Sequence, residues 1–350
     1  LIAREDVVIS MTHLGYIKRL PVAEYRAQRR GGRGVTAHKP KDEDFVEKMF
    51  VCSTHDRLLF FTNFGKAYAT VAFLVPEAQR AARGRALVNL LQLSDGERVT
   101  TMLDCNEDAE GYIVMATKNG LIKKTAITEF SNIRKTGKIA INLVEGDELI
   151  SAGICSGEDQ FIIASRSGKC IRFAETDVRA TGRDTQGVKA IELDEDDFVT
   201  DMLIVKEGYD ILTITAKGYG KRTDIEDYRL QSRGGKGIKA GSFNEKTGLL
   251  VNMKMVTEND DVMIITENGT VIRTHVKDIS KIGRDTRGVI IMRLEDGEVA
   301  TVSVTPAEDE EETEDGEIVE NGETTPEEGE EGSETTTDAA TGDNESSDNE

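Results

Sequence analysis

Residues 112–124 read YIVMATKNGLIKK: an apolar run, a polar turn closing on Gly120, then a strand-like stretch ending in two lysines. β-branched and aliphatic residues on either side of a short Asn-Gly turn are the signature of a β-hairpin. The same sentence is written five more times: VVISMTHLGYIKR at 7–19, LLFFTNFGKAYA at 58–69, FIIASRSGKCIR at 161–172, ILTITAKGYGKR at 211–222 and VMIITENGTVIR at 262–273. The turn glycines Gly15, Gly65, Gly120, Gly168, Gly218 and Gly269 follow one another at intervals of 50, 55, 48, 50 and 51 residues. A period of that size marks a repeat architecture.

Outward from each hairpin the unit continues in a fixed order. First comes a basic loop with glycine: Gln28-Arg29-Arg30-Gly31-Gly32-Arg33-Gly34, Arg83-Gly84-Arg85, Arg134 to Lys138, Thr181 to Gly187, Gln231 to Gly237 and Gly283 to Gly288. An acidic turn and a closing strand follow, as in LSDGERVTTML (93–103), LVEGDELISAGI (143–154), LDEDDFVTDMLIV (193–205) and LEDGEVATVSV (294–304). Four strands per unit fit a propeller blade, and six blades fit a closed ring. The chain is therefore expected to be all-β, with each blade burying a face on the next. Tandem β-sandwiches would need linkers, and no Pro- or Ser-rich stretch divides the units. Only the stretches Glu24 to Gln28, Pro76 to Ala82 and Ala126 to Phe130 suit a helical turn.

The net charge of −21 over 350 residues is unevenly spread. Pro306 to Glu350 holds 20 acidic residues and no Lys or Arg, leaving 45 acidic against 44 basic residues in 1–305. The tail, with no aromatics and few large aliphatics, cannot offset its ordering entropy and is expected to be disordered. The domain boundaries follow: a propeller over 1–305 and an acidic tail over 306–350. An opening at Leu1 rather than Met is expected of a piece of a longer protein. No apolar run reaches the ~18 residues of a membrane span. Cys52, Cys105 and Cys155 share one repeat position, taken by Val205 and Val256 in later copies, which is the behaviour of a buried strand site. With Cys170 they show no CxxC spacing, and the four histidines are scattered. No metal, no disulfide framework and a reducing cytoplasm are expected.

Cations follow the hairpin glycine within four places in every repeat: Lys18 and Arg19, Lys66, Lys123 and Lys124, Lys169 and Arg172, Lys221 and Arg222, and Arg273. The loops add Arg83, Arg85, Arg134, Lys135, Lys138, Arg183, Arg233, Lys236, Arg284 and Arg287. Symmetry carries these charges to equivalent places on every blade. A body near neutral can then present a cationic belt, because its acidic turns sit at another offset. Evenly spaced cations favour a duplex backbone over a base sequence. Single-strand binding calls for interleaved stacking aromatics, and aromatics make up 5 % of the chain. A belt on a ring also suits bent DNA.

The heptapeptide QRRGGRG at 28–34 resembles the gyrase box of the A subunit of bacterial DNA gyrase, a type IIA topoisomerase. HLGYIKRLPVAEY (13–25), ARGRALVNLL (82–91) and GYGKRTDIEDY (218–228) resemble the C-terminal domain of that protein, and the likeness runs from residue 1 to about 305. The resemblance implies a β-pinwheel, a propeller variant whose blades exchange strands. It implies positive wrapping of duplex DNA and delivery of a segment to the strand-passage gate, so that the whole enzyme supercoils DNA negatively with ATP. Gln28, Arg29, Arg30 and Arg33 would be the polar residues of the box, with Gly31, Gly32 and Gly34 shaping its turn. The implied partners are double-stranded DNA, the ATPase B subunit, and the N-terminal breakage–reunion part of the same polypeptide. No Walker-type loop and no setting for a nucleophilic tyrosine is found, so no catalytic residue or cofactor is assigned to the fragment. Three other readings are weighed: the corresponding domain of topoisomerase IV, whose box is degenerate or missing and against which the intact box at Gln28 argues, a protein-binding propeller scaffold, and an RNA-binding RGG-type module.

Overall fold

The computed structural model describes residues 2–22, 44–79, 81–106, 108–295 and 297–307. Each quoted copy forms the hairpin its pattern predicts. In the third, Tyr112–Thr117 turns at Gly120 into Leu121–Ala126, with Tyr112 opposite Ala126 and Ala116 opposite Ile122. Gly120 has a φ of +90°, a left-handed conformation that favours glycine. The closing strand Leu149–Cys155 then pairs with the other edge of Tyr112–Thr117. That pairing slips register between Leu149 and Ser151, and the five equivalent pairings slip at the matching place. Such bulges sharpen the local twist of a sheet.

The fourth strand of a blade is borrowed. Lys138–Ile139, from the third repeat, pairs with Lys66–Val71 in the second sheet. The third sheet receives Val188–Lys189 from the fourth repeat, with Val188 opposite Ile122. Five sheets are completed in this way, and the sixth has three strands among the described residues. This exchange is the pinwheel variant that the resemblance implied and that periodicity alone does not reveal.

The cores lie between blades, as thin aliphatic sheets require. Leu59 and Phe61 of the second blade meet Ile113 and Met115 of the third, with Phe130 and Ile141 filling the seam. Phe161 and Phe173 of the fourth meet Val114 and Ile122 of the third. At roughly 25 cal/mol per Å² of apolar surface, a blade stripped of its neighbour would lose most of its hydrophobic stabilisation. The closing strands also bond to one another: Ala152 N–H donates to Thr101 Oγ1 at 3.2 Å, Met253 N–H to Asp201 Oδ2 at 2.9 Å and Val302 N–H to Asn252 Oδ1 at 2.9 Å. Ser303 Oγ completes the circle by donating to the carbonyls of Val46 and Glu47 in the first repeat. The blades form a ring.

Of the expected helical turns, Ile127–Phe130 is present as a 3₁₀ turn, the described residues of Pro76 to Ala82 hold none, and Glu24 to Gln28 lies outside the described residues. Matching turns at Ala72–Leu74, Glu175–Asp177, Ile225–Asp227 and Val276–Asp278 were not foreseen. A three-residue turn is too short to leave an apolar period. Cys52, Cys105, Cys155 and Cys170 are all free and buried, and burial pushes the Cys52 and Cys170 thiols up to about 12.

Candidate nucleic-acid interface

The borrowed strands make the outer edge of the blades, opposite the closing strands at the centre. Each is preceded by its basic loop, so loop and outer strand reach the rim together. Arg85, Arg134, Lys135, Lys138, Lys236 and Arg287 are exposed there. Lys189 and Lys239, both exposed and both on outer strands, join them. Sequence reasoning passed these two over. Their signal was position, two residues after the last glycine of the loops ending at Gly187 and Gly237.

The loop arginines brace one outer strand against the next. Arg183 donates through Nη1 to the Ile139 carbonyl at 2.9 Å. Arg233 donates to the carbonyls of Asp177 and Lys189, and Arg284 to those of Asp227 and Lys239. Each guanidinium thus spends part of its five-donor fork on backbone and lies at the rim half-buried. Arg83 instead lies over the Tyr16 ring, 4.1 Å from its centroid. Between the fifth and sixth loops, Lys169, Lys236, Lys239 and Arg284 line a groove of about 410 Å³. Lys169 forms an ion pair there with Asp194, which lowers the pKa of that carboxyl.

The cations three and four places after the hairpin glycine have a different employment. Arg19 donates to the Val75 carbonyl and to Glu77, both at 2.8 Å. Arg172 reaches Gln160 Oε1 at 2.7 Å and the Ile225 and Tyr228 carbonyls at 3.0 Å. Arg222 donates to the Ile279 carbonyl at 2.7 Å and to Glu258 at 2.9 Å, Arg273 pairs with buried Asp261, and Lys124 pairs with buried Glu175. Apart from Arg273, whose partner lies on its own hairpin, these side chains staple a hairpin to the 3₁₀ turn of the next repeat or to a carboxylate beside that turn. Lys18 donates to the Gln79 and Ala82 carbonyls. Lys123 and Lys221 are 1 % exposed and enclosed by backbone carbonyls. Burial pushes both down to about 8. Lys66 is half-buried. Expected as part of the belt, Lys123, Lys124, Lys221 and Arg222 are buried, and a phosphate cannot reach them without opening the fold.

The acidic turns are tied to the hairpin turns. Asp44, Asp147 and Asp197 accept from the backbone N–H groups of Leu14, Asn119 and Ser167 at 2.9, 3.0 and 2.9 Å. Glu97, buried, accepts from Thr62, Tyr68 and the Ser94 N–H. Gln28 to Gly34 lies outside the described residues, as do residues 308–350.

The family model described as the DNA gyrase C-terminal domain, beta-propeller, matches the chain six times, at residues 6–53, 56–106, 111–156, 159–206, 209–257 and 260–306. The DNA gyrase A protein of Escherichia coli K12 is 46 % identical over 299 residues, covering 85 % of this chain and 34 % of the relative. Its Staphylococcus epidermidis counterpart is 43 % identical over 314 residues, covering 88 % and 35 %. The chain thus spans about a third of the length of the curated relatives it matches. A solved DNA gyrase A C-terminal domain superposes with a TM-score of 0.66 at 29 % identity, covering 86 % of this chain and 99 % of the other. The C-terminal domain of a DNA topoisomerase IV superposes with a TM-score of 0.76 at 24 % identity, covering 88 % and 96 %, a likeness of fold. The six matches coincide with the six blades, and the chain belongs to the DNA gyrase C-terminal β-propeller family.

Proposed function

We propose that this domain binds duplex DNA without sequence preference along its outer rim, bends it, and wraps it in a positive sense. The observation that carries this reading is the recurrence of exposed cations on successive outer strands and their loops, from Arg85 through Lys138, Lys189 and Lys239 to Arg287. Cations so spaced meet a phosphate backbone at intervals and read no base. Bending a 20–30 bp site by 40–90° costs roughly 1–6 kcal/mol, which several phosphate contacts together offset. Gln28, Arg29, Arg30 and Arg33 lock one point of the path, so changing the three arginines to Ala harms bending more than affinity.

Within the whole protein, the wrapped segment is presented to a strand-passage gate, so that a gyrase introduces negative supercoils with ATP. Strand cleavage and ATP hydrolysis belong to the breakage–reunion part of the same polypeptide and to an ATPase B subunit, in an A2B2 complex of the cytoplasm that works at the nucleoid. The domain itself contributes binding and geometry. The test is energy transfer between fluorophores on the two ends of a short duplex. Wrapping brings the ends together at saturation; an unchanged end-to-end distance removes the proposal and leaves a propeller that binds without bending.

A further inference from the structure

The residue three places after each hairpin glycine alternates around the ring. It is Lys18, Lys123 and Lys221 in repeats one, three and five, and Tyr68, Ile171 and Ile272 in repeats two, four and six. In the first four repeats this residue lies under the basic loop of the repeat that follows. A Cβ on Gly84 would meet Lys18 Cβ at 3.1 Å, one on Gly137 the Tyr68 ring at 2.5 Å, one on Gly187 Lys123 Cβ at 3.1 Å and one on Gly237 Ile171 Cβ at 3.3 Å.

Two of the lysine seats hold the same loop sequence. Gly182-Arg183-Asp184-Thr185 lies over Lys123 and Gly283-Arg284-Asp285-Thr286 over Lys221. Lys123 Nζ donates to the carbonyls of Gly182 at 2.8 Å, Arg183 at 2.7 Å and Thr185 at 3.3 Å, and also to Ala140 at 2.8 Å. Lys221 Nζ bonds the carbonyls of Gly283, Arg284 and Thr286. Each turn is closed on itself by its threonine, whose Oγ1 donates to the glycine carbonyl at 2.9 Å in one and 2.7 Å in the other. Three carbonyl dipoles aimed at one point repel each other unless a cation sits between them, and an ammonium has three protons to share.

We infer that Lys123 and Lys221 are positioning residues for DNA binding: each ammonium gathers the carbonyls of a Gly-Arg-Asp-Thr turn and so fixes the arginine of that turn on the rim. This rests on the reading that duplex DNA runs along the rim. The lysines act without touching the phosphates. The third and fifth loops, seated on Tyr68 and Ile171, are held by ring and aliphatic contact and lack this dependence.

The experiment compares the whole chain with its Lys123→Met, Lys221→Met and doubly substituted forms. Backbone amide exchange is followed without DNA, and affinity for a short duplex is measured across a range of salt. Exchange is expected to quicken about tenfold or more in 182–185 and 283–286 and to stay unchanged in 231–237. Affinity is expected to fall about threefold to tenfold with the slope of log K against log salt unchanged, because a buried ammonium releases no counterion from DNA. A slope that falls by nearly one per lysine would show direct phosphate contact and overturn the inference, as would unchanged exchange in the two turns. If the Met forms do not fold, Lys123→Gln and Lys221→Gln keep a shorter donor and should give intermediate exchange; wild-type exchange in them overturns the inference too. Failure of the unmodified chain to bind duplex would instead remove the rim reading, while amide exchange still decides the role of the lysines in the loops.

Discussion

Lys124 and Glu175, 51 positions apart in the chain, form an ion pair of 2.9 Å with both side chains buried. The pair ties the third hairpin to the 3₁₀ turn Glu175–Asp177 of the fourth repeat, and the Tyr112 ring covers the ammonium 4.5 Å away. It shows in one contact how a charge that reads as a surface cation is used to join neighbouring repeats.

Removing one member strands the other without its partner. Lys124→Met is expected to cost about 3–5 kcal/mol, and adding Glu175→Gln to it to recover a large part of that loss, because the uncompensated carboxylate is what makes the single change expensive. Urea unfolding of the two single variants and the double variant measures the coupling. Strict additivity of the two losses would mean that the pair contributes nothing as a pair.

Lys123 and Lys221 make stability and loop order move in opposite directions with pH. Burial holds both at about 8 in the folded chain, below the ordinary 10.5. Glu129 and Asp184 favour the charge of Lys123 and Arg183 opposes it; Asp285, Cys170 and Asp227 favour that of Lys221 and Arg284 opposes it. Between pH 8 and 10.5 the unfolded chain binds these protons and the folded chain does not, so their contribution to stability rises across that window and is lost as pH falls through 8. The carbonyl turns, meanwhile, lose their ammonium above pH 8. The thermal midpoint of wild type relative to the double Met variant should therefore climb from pH 8 to 10, while the affinity advantage of wild type for duplex shrinks. Parallel pH curves for the two proteins would count against this.

Gly237 sits where the fifth loop passes closest to a neighbouring strand. Its φ is +71°, and a Cβ would lie 2.2 Å from the Cys170 carbonyl. Gly237→Ala is expected to destabilise by about 1–3 kcal/mol or more, since the left-handed strain and the backbone clash add. Gly146→Ala makes the comparison: φ is +79° but nothing lies within 4 Å, so only the conformational cost of about 1 kcal/mol applies. Differential scanning calorimetry should rank the two losses in that order, and equal losses would place the effect in φ alone.

Lys138 and Lys239 are exposed on outer strands. Each Gln substitution should reduce the salt slope of duplex binding by about 0.9, the signature of one neutralised phosphate. Titrations of a fluorescent duplex over a fourfold range of salt measure it. An unchanged slope in both variants would move the DNA path off the outer strands.

The hairpins, the six-fold repeat and the ring were legible because each needs only local signals: alternating apolar runs, a turn glycine and a constant period. The strand exchange was not, since Val188–Lys189 is two residues long and carries no mark of which sheet it joins. The cations were legible as a class but not by role. Lys138 and Lys123 look alike in sequence, yet one is exposed on an outer strand and the other closes a ring of carbonyls, and that difference depends on a loop some 60 residues downstream. The heptapeptide at 28–34, the most specific motif of the chain, lies outside the described residues.

Wrapping is tested most directly by topology. Nicked circular DNA closed by ligase in the presence of the domain, then stripped of protein, retains any writhe the domain imposed as a change in linking number. Positive wrapping predicts circles that grow more positively supercoiled in proportion to the domain bound. Circles with unchanged or negative linking number at saturation would contradict it.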